Sequence, residues 1–275
     1  SSAQPYPGML RLSSLFPSGC TVTLTADTHF AELPEQHPMS DNVDLAAIKA
    51  RLDAVKAKRG YLLPHHGLLS VAAPEVLAGY DATYTALTLS ERRLPEHDKE
   101  FIWLVVLIAT EEAIATHHIK KFFDAGGTTA GFDLAAQLAG YARSAPCFRF
   151  VETDWAKHVP HYTPEAAYRA GFDRLMAGAP VSRQIAEISM AAAHQCHRKW
   201  RELEWHLIGC YREGMDEFEM AEGLSYAMFP GSIPNFVDAC GVWLNLIRDG
   251  RVEASPAFRL WAETEGQGGF DEASG

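Results

Sequence analysis

A carboxylate, a histidine and a glycine recur in the two halves of this chain at almost constant spacing, and that recurrence restricts the fold more than any other feature. In the second half Glu187 is followed nineteen positions later by His206, and eight further on by Gly214. In the first half Glu100, His118 and Gly126 keep the same order, with the acid-to-histidine interval one shorter. His118 and His206 are 88 positions apart, as are Gly126 and Gly214, Tyr80 and Tyr168, Tyr84 and Phe172, and Leu87 and Leu175. Self-similarity at a fixed period marks a duplicated unit. The hydrophobic pattern makes that unit helical, and the fold class expected is all-α.

Nineteen residues along one straight helix would set acid and imidazole about 28 Å apart on different faces. The two meet only if the chain turns back between them. The first copy carries signals for such a turn: Pro95 suits a first helical turn, residues 101–109 are continuously apolar, and Thr110 with Glu111 and Glu112 reads as a fresh N-cap and acidic first turn. A turn there leaves Glu100 about nine residues before it and His118 about eight after it, so an antiparallel hairpin brings both to one height. The second copy has neither Gly nor Pro between Glu187 and His206, and its turn is expected by analogy. A gapless overlay sets Lys99 opposite Glu187; matching Pro95 with Ser182 restores Glu100 and places a deletion near the turn.

Other helices are expected over 43–59, closed by Gly60, over 74–89, and over 132–143, where Ser144, Ala145 and Pro146 break the pattern. Residues 147–163 read as a linker. Helices over 164–176, from Ser182, from about Lys199 and over 216–228 follow, with a turn through Pro230 and Pro234 and a last helix to about Ile247. Residues 21–25 are the best strand signal. The organisation expected is an N-terminal arm (1–38), a first repeat (39–146), the linker, a second repeat (164–250) and a tail (251–275). Met39 is the alternative natural start.

A net charge of −11 over 275 residues argues against a nucleic-acid partner. Five scattered cysteines without a C-x-x-C indicate neither a disulfide framework nor a cysteine zinc site. Free thiols suit a reducing cytoplasm, which is the compartment expected. The apolar run 101–109 is far short of the roughly 20 residues needed to cross a bilayer. The N-terminus lacks the basic flank and apolar core of an export signal.

Acid, apolar helix, second helix with His, then Gly214, the acidic run from Asp216 to Glu222, and Gly231 with Pro234, together resemble the carboxymuconolactone decarboxylase and alkylhydroperoxidase D-like family. The resemblance covers roughly residues 60–250 as two copies. It implies two tandem helical repeats packed as a pseudo-dimer, a homo-oligomer such as a trimer, and cofactor-free lyase or isomerase chemistry on a small organic acid or lactone. Peroxidase-type members carry C-x-x-C just before the histidine. Lys199 and Glu202 stand at those places before His206, and Glu111 and Ile114 before His118. A peroxide reductase therefore needs atypical cysteines, and it stays as one alternative. A non-catalytic helical binding or assembly protein is the other.

The residues that carry chemistry in this reading are Glu187 with His206 as a proton-transfer pair, and Glu100 with His118, or His117 in its place, as the second copy of it. A buried histidine that has merely found a partner is the plain reading of either. His194 and His197 are candidates to line a substrate pocket; with Cys196 they could suggest a metal, but H-x-x-H is not a specific ligand spacing, and no metal is expected. Arg198 and Arg201 could hold a substrate carboxylate, against the plain reading of solvated helix arginines. No glycine-rich phosphate loop is present, and no nucleotide or flavin cofactor is expected.

Overall fold

A computed structural model describes residues 44–267. Among these, twelve α-helices and no strand are found, an all-α architecture. The expected arm at 1–38 and the strand signal at 21–25 lie outside the described residues. No described helix is long and apolar enough to cross a membrane. The described residues divide between Pro64 and His65 into two compact units. The first holds α1 (Leu45–Arg59). Asp44 caps it by accepting from the Ala47 N–H at 2.9 Å, and Gly60, at φ +79°, ends it.

The second unit opens with α2 (Pro64–Ala72) and α3 (Pro74–Tyr84). The chain continues from α3 into one wide turn, which Ser90 N–H closes onto the Thr85 carbonyl at 2.9 Å. Then come α4 (Glu96–Ala109), α5 (His117–Asp124), α6 (Thr129–Asp154), α7 (Pro164–Met176), α8 (Arg183–Cys196), α9 (Trp200–Arg212), α10 (Glu217–Ser225), α11 (Ile233–Arg248) and α12 (Pro256–Glu263). Helices α4 and α8 pack against each other at the centre. α5 and α6 lie on α4, while α9 and α10 lie on α8. From Phe101 to Val106 and from Ile188 to Ala193 no residue is more than 3 % exposed, as an all-round apolar helix requires. Each large apolar side chain so enclosed stabilises the unit by about 1.5–3 kcal/mol.

Two hairpins, α4–α5 and α8–α9, are closed in the same way. Glu111 (φ +57°) and Arg198 (φ +55°) both adopt the left-handed conformation that non-glycine residues rarely take. Directly after them, Glu112 N–H reaches the Leu107 carbonyl at 2.9 Å and Lys199 N–H reaches the His194 carbonyl at 3.0 Å, the six-to-one closure of a helix end. Each left-handed residue stands eleven positions after its glutamate. At the far ends, Gly126 (φ +91°) and Gly214 (φ +68°) repeat the device, with Gly127 N–H on Phe122 and Met215 N–H on Cys210. The residue by which the first interval is shorter is therefore lost between the turn and the histidine.

Several expectations are corrected here. Thr110 is not an N-cap: its backbone is helical, and its hydroxyl donates to the Val106 carbonyl at 2.9 Å, so it terminates α4. Glu111 forms the turn and pairs with Arg143 on α6. The second helix consequently starts only at His117, instead of at 110. Pro146 does not break its helix either. α6 runs through it to Asp154, so the first part of the expected linker is helical. α2 and α12 were not foreseen.

Candidate active site

Glu187 projects from the buried side of α8 towards α9, where His206 Nδ1 lies 2.5 Å from Glu187 Oε2. Arg169 on α7 donates from one terminal nitrogen to both carboxylate oxygens, at 2.8 and 2.9 Å, and from the other to the Trp205 carbonyl. Arg183, one turn before Glu187, is 3.5 Å from Oε1. Burial opposes the charge on Glu187, but His206 and Arg169 together hold its carboxyl below the ordinary value. The carboxylate is ionised at neutral pH.

Its ionisation sets the direction of every bond beyond it. An ionised carboxylate only accepts, so His206 Nδ1 carries the proton. Burial lowers the pKa of His206, and Glu187 offsets only part of that, which leaves the imidazole neutral and its Nε2 a bare acceptor. The Tyr168 hydroxyl, 2.8 Å away, donates to it. With that hydrogen committed, the Tyr168 oxygen accepts from His194 Nε2 at 2.7 Å. The result is a chain Arg169–Glu187–His206–Tyr168–His194 across α7, α8 and α9, in which Tyr168, His194 and His206 are all 0 % exposed. Tyr168 is fixed from α6 as well. The Tyr141 hydroxyl donates to its carbonyl at 2.6 Å, and the two rings stack at 4.9 Å.

Gly209, one turn after His206, leaves the room that Glu187 occupies. A β-carbon there would come within 2.7 Å of both carboxylate oxygens, and Glu187, held by Arg169 and His206, has no free direction in which to yield. Gly209→Ala is expected to cost about 1–3 kcal/mol of stability. A denaturation midpoint equal to that of the wild type would show that the carboxylate has slack the geometry does not suggest.

The first pair is built alike at its centre and differently around it. His118 Nδ1 lies 2.6 Å from Glu100 Oε2. Lysines take the place of the arginines: Lys121 and Lys99 are 3.7 and 3.8 Å from Glu100 Oε1. Lys99 and Arg183 each come from the acid's own helix, but Lys121 comes from α5 and Arg169 from α7; Lys121 stands 88 positions before Gly209, and Asp81 stands 88 before Arg169. Trp103 stacks on His118 at 4.5 Å and on Tyr226 at 5.3 Å. His117 turns away from Glu100, its Nε2 3.0 Å from the Tyr84 hydroxyl.

Burial outweighs both lysines and pushes Glu100 up to about 7, and burial pushes His118 down to about 3. The Glu100 value gives a sign. Between pH 4.5 and about 7 Glu100 keeps in the folded chain a proton that it releases in the unfolded chain, so its contribution to stability falls as pH rises through that window. Relative to Glu100→Gln, the wild type should lose up to about 3 kcal/mol across it. His118 changes in the opposite sense but is common to both proteins. Parallel stability–pH curves for the two would contradict the prediction.

The remaining candidates are dispersed. His197 is half-buried at the α8–α9 turn, where the Ala109 backbone and Glu111 act on it. Arg198 is exposed and pairs with Asp238 at 3.6 Å; Arg201 pairs with Glu152 at 2.6 Å and lies over the Trp205 ring. Neither arginine joins the Glu187 network. His65 and His66 gather round Tyr80. Burial pushes the Cys196 thiol up to about 12 and raises that of Cys210 well above its ordinary value. Among the described residues no three His, Cys, Asp or Glu side chains converge as a metal would need. A hollow of about 470 Å³ lies where α11 leads into α12, bordered by Arg248, Arg251 and Arg259, and no member of either Glu–His pair lines it.

Sequence reasoning missed Tyr168 and Arg169 as parts of the site. Tyr168 was visible only through its match to Tyr80, and Arg169 has no cationic counterpart in the first copy. No protein-family model, curated protein or solved structure matches this chain.

Proposed function

We propose that the chain is a cofactor-free proton-transfer enzyme, a lyase or isomerase acting on a small organic acid or lactone, similar to the carboxymuconolactone decarboxylase and alkylhydroperoxidase D-like family. The observation that carries this reading is the buried chain from Glu187 through His206 and Tyr168 to His194. Proton removal beside a carbonyl, or protonation of the carbanion left by loss of CO₂, needs a group that changes protonation state reversibly at neutral pH. Hydrogen-bonded imidazoles can pass a proton along and leave the resulting charge beside the ionised Glu187 carboxylate. The matched closures of the two hairpins support reading the second unit as two tandem repeats, packed as a pseudo-dimer. In this reading the chain is cytoplasmic and its homo-oligomer a trimer.

The thiol alternative is less well supported. A peroxide reductase works through a thiolate, and Cys196 and Cys210 are held protonated by burial. The test is a panel of small β-keto acids, lactones and lactone carboxylates incubated with the protein in D₂O and followed by proton NMR. Deuterium incorporation or CO₂ loss that disappears in His206→Ala is the expected result. Peroxide turnover abolished by Cys196→Ser, without exchange in any carbon acid, would overturn the proposal in favour of the thiol route.

A further inference from the structure

We infer that His194, through its Nδ1, is the group that exchanges a proton with the bound molecule, while Tyr168 and His206 connect it to Glu187. The inference deepens the proton-transfer reading and rests on it. Both nitrogens of His206 are engaged, one by Glu187 and one by Tyr168. A substrate could reach them only by displacing a partner. The Tyr168 hydroxyl is likewise committed on both sides. His194 Nδ1 is the one nitrogen of the two imidazoles left without a partner among the described residues, and its side chain is 0 % exposed.

The terminus is the same in either state of the network. With His206 neutral, the hydroxyl donates to His206 and His194 Nε2 donates to the hydroxyl, so His194 Nδ1 is a bare lone pair. With His206 doubly protonated, each bond reverses and His194 Nδ1 carries a hydrogen. The first state accepts a proton at that atom; the second delivers one there. Buried polar atoms are ordinarily paired, and the next residue, Gln195, is also fully buried with neither amide atom bonded. His194 stands at the end of α8, beside the half-buried Cys196 and His197. Burial pushes the His194 pKa well below its ordinary value, and Lys199 lies close enough to act on its charge, so a substrate carboxylate at this end of the hairpin would meet that cation.

The molecule suited to such a terminus is a small carbon acid whose C–H bond lies beside a carbonyl. His194 Nδ1 takes the proton, and the electron pair of the broken C–H bond is delocalised into that carbonyl as an enolate. His194 Nε2 passes its own proton to Tyr168 as the hydroxyl proton moves to His206 Nε2. The positive charge then rests on His206 beside the Glu187 carboxylate. Reversal of these moves protonates the carbanion.

Two measurements on the full chain test this. The first is ¹⁵N NMR of labelled histidines at neutral pH. His206 is expected with its proton on Nδ1, and His194 with its proton on Nε2 and a bare Nδ1. In Tyr168→Phe the His194 pattern should be disturbed, while His206 keeps on Nδ1 the proton that Glu187 holds. A His194 with the proton on Nδ1 beside a neutral His206 would overturn the inference.

The second uses His194→Gln, whose amide nitrogen can replace the Nε2 donor to Tyr168 but offers no basic Nδ1. With acetoacetate and a γ-lactone carboxylate as probes, the variant should lose at least about 100-fold in kcat for exchange, with KM little changed and the His206 tautomer preserved. Full exchange by His194→Gln, together with loss in His206→Ala, would overturn the inference and leave the proton-transfer reading standing. No exchange by the wild type with any probe would overturn both that reading and the inference resting on it.

Discussion

Replacing His206 with alanine, or Glu187 with glutamine, is expected to lower turnover by about 10²–10⁴, the usual cost of losing a group that carries a proton. His118→Ala and Glu100→Gln are expected to cost much less. The surroundings of the two pairs explain the difference. Glu187 is fixed as an anion by Arg169, and beyond His206 lie Tyr168 and His194 to carry the proton onward. Around His118 the indole of Trp103 covers one ring face, and Glu100, pushed up to about 7, is only partly ionised at neutral pH. The first pair thus has a weaker electrostatic sink, in a setting that reads as packing. Steady-state kinetics on each variant, with circular dichroism to confirm folding, would decide. Equal losses from both pairs would mean two working sites or one shared site. A loss confined to the first pair would show that the first copy is the one at work.

The pairing of acid and histidine was legible because two copies of one spacing leave few geometries that reconcile them. At either interval a single straight helix would hold the two groups about 27–28 Å apart, so a turn between them followed from the rise per residue alone. What lay outside reach was the chemistry of that turn. Thr110, Glu111 and Glu112 suit a helix start as readily as a helix end, and in the fold Glu111 takes the left-handed position of the turn, where its side chain pairs with Arg143 on α6. Pro146 misled for a related reason. A proline removes one backbone hydrogen bond, and a long helix already packed on α4 and α7 tolerates the loss. Tyr168 and Arg169 escaped because they act from α7, whose distance in sequence from Glu187 and His206 carries no periodic signal. The pairing of Arg198 and Arg201 with Asp238 and Glu152 had no sequence signature either, since any carboxylate on a neighbouring helix would serve.

Removing the Glu187 carboxylate alone should destabilise the protein by about 3–5 kcal/mol, because Arg169 is then left mostly buried without its anion. Glu187→Leu is the variant that shows this. Truncating the other partner, in Arg169→Met, should cost a comparable amount, leaving Glu187 with His206 and the more distant Arg183. The two changes should not add. In Glu187→Leu with Arg169→Met no charge of the Arg169–Glu187 pair remains, and the apolar replacements fill much of the volume, so the double variant should recover most of either single loss. A residue of about 1–3 kcal/mol is expected to persist from the Trp205 carbonyl and the His206 Nδ1, both deprived of a partner. The pH dependence carries the same signature. Glu187 has its pKa lowered in the folded chain, so the stability it contributes is complete above about 4.5 and is lost as pH falls below that value. Arg169→Met removes one of the groups that lower it, and acid unfolding should then begin at higher pH than in the wild type. Urea denaturation of the four proteins at neutral pH, with acid titrations of the wild type and Arg169→Met, would measure both effects. Strictly additive losses, with acid transitions that coincide, would mean that Arg169 and Glu187 do not act as a pair.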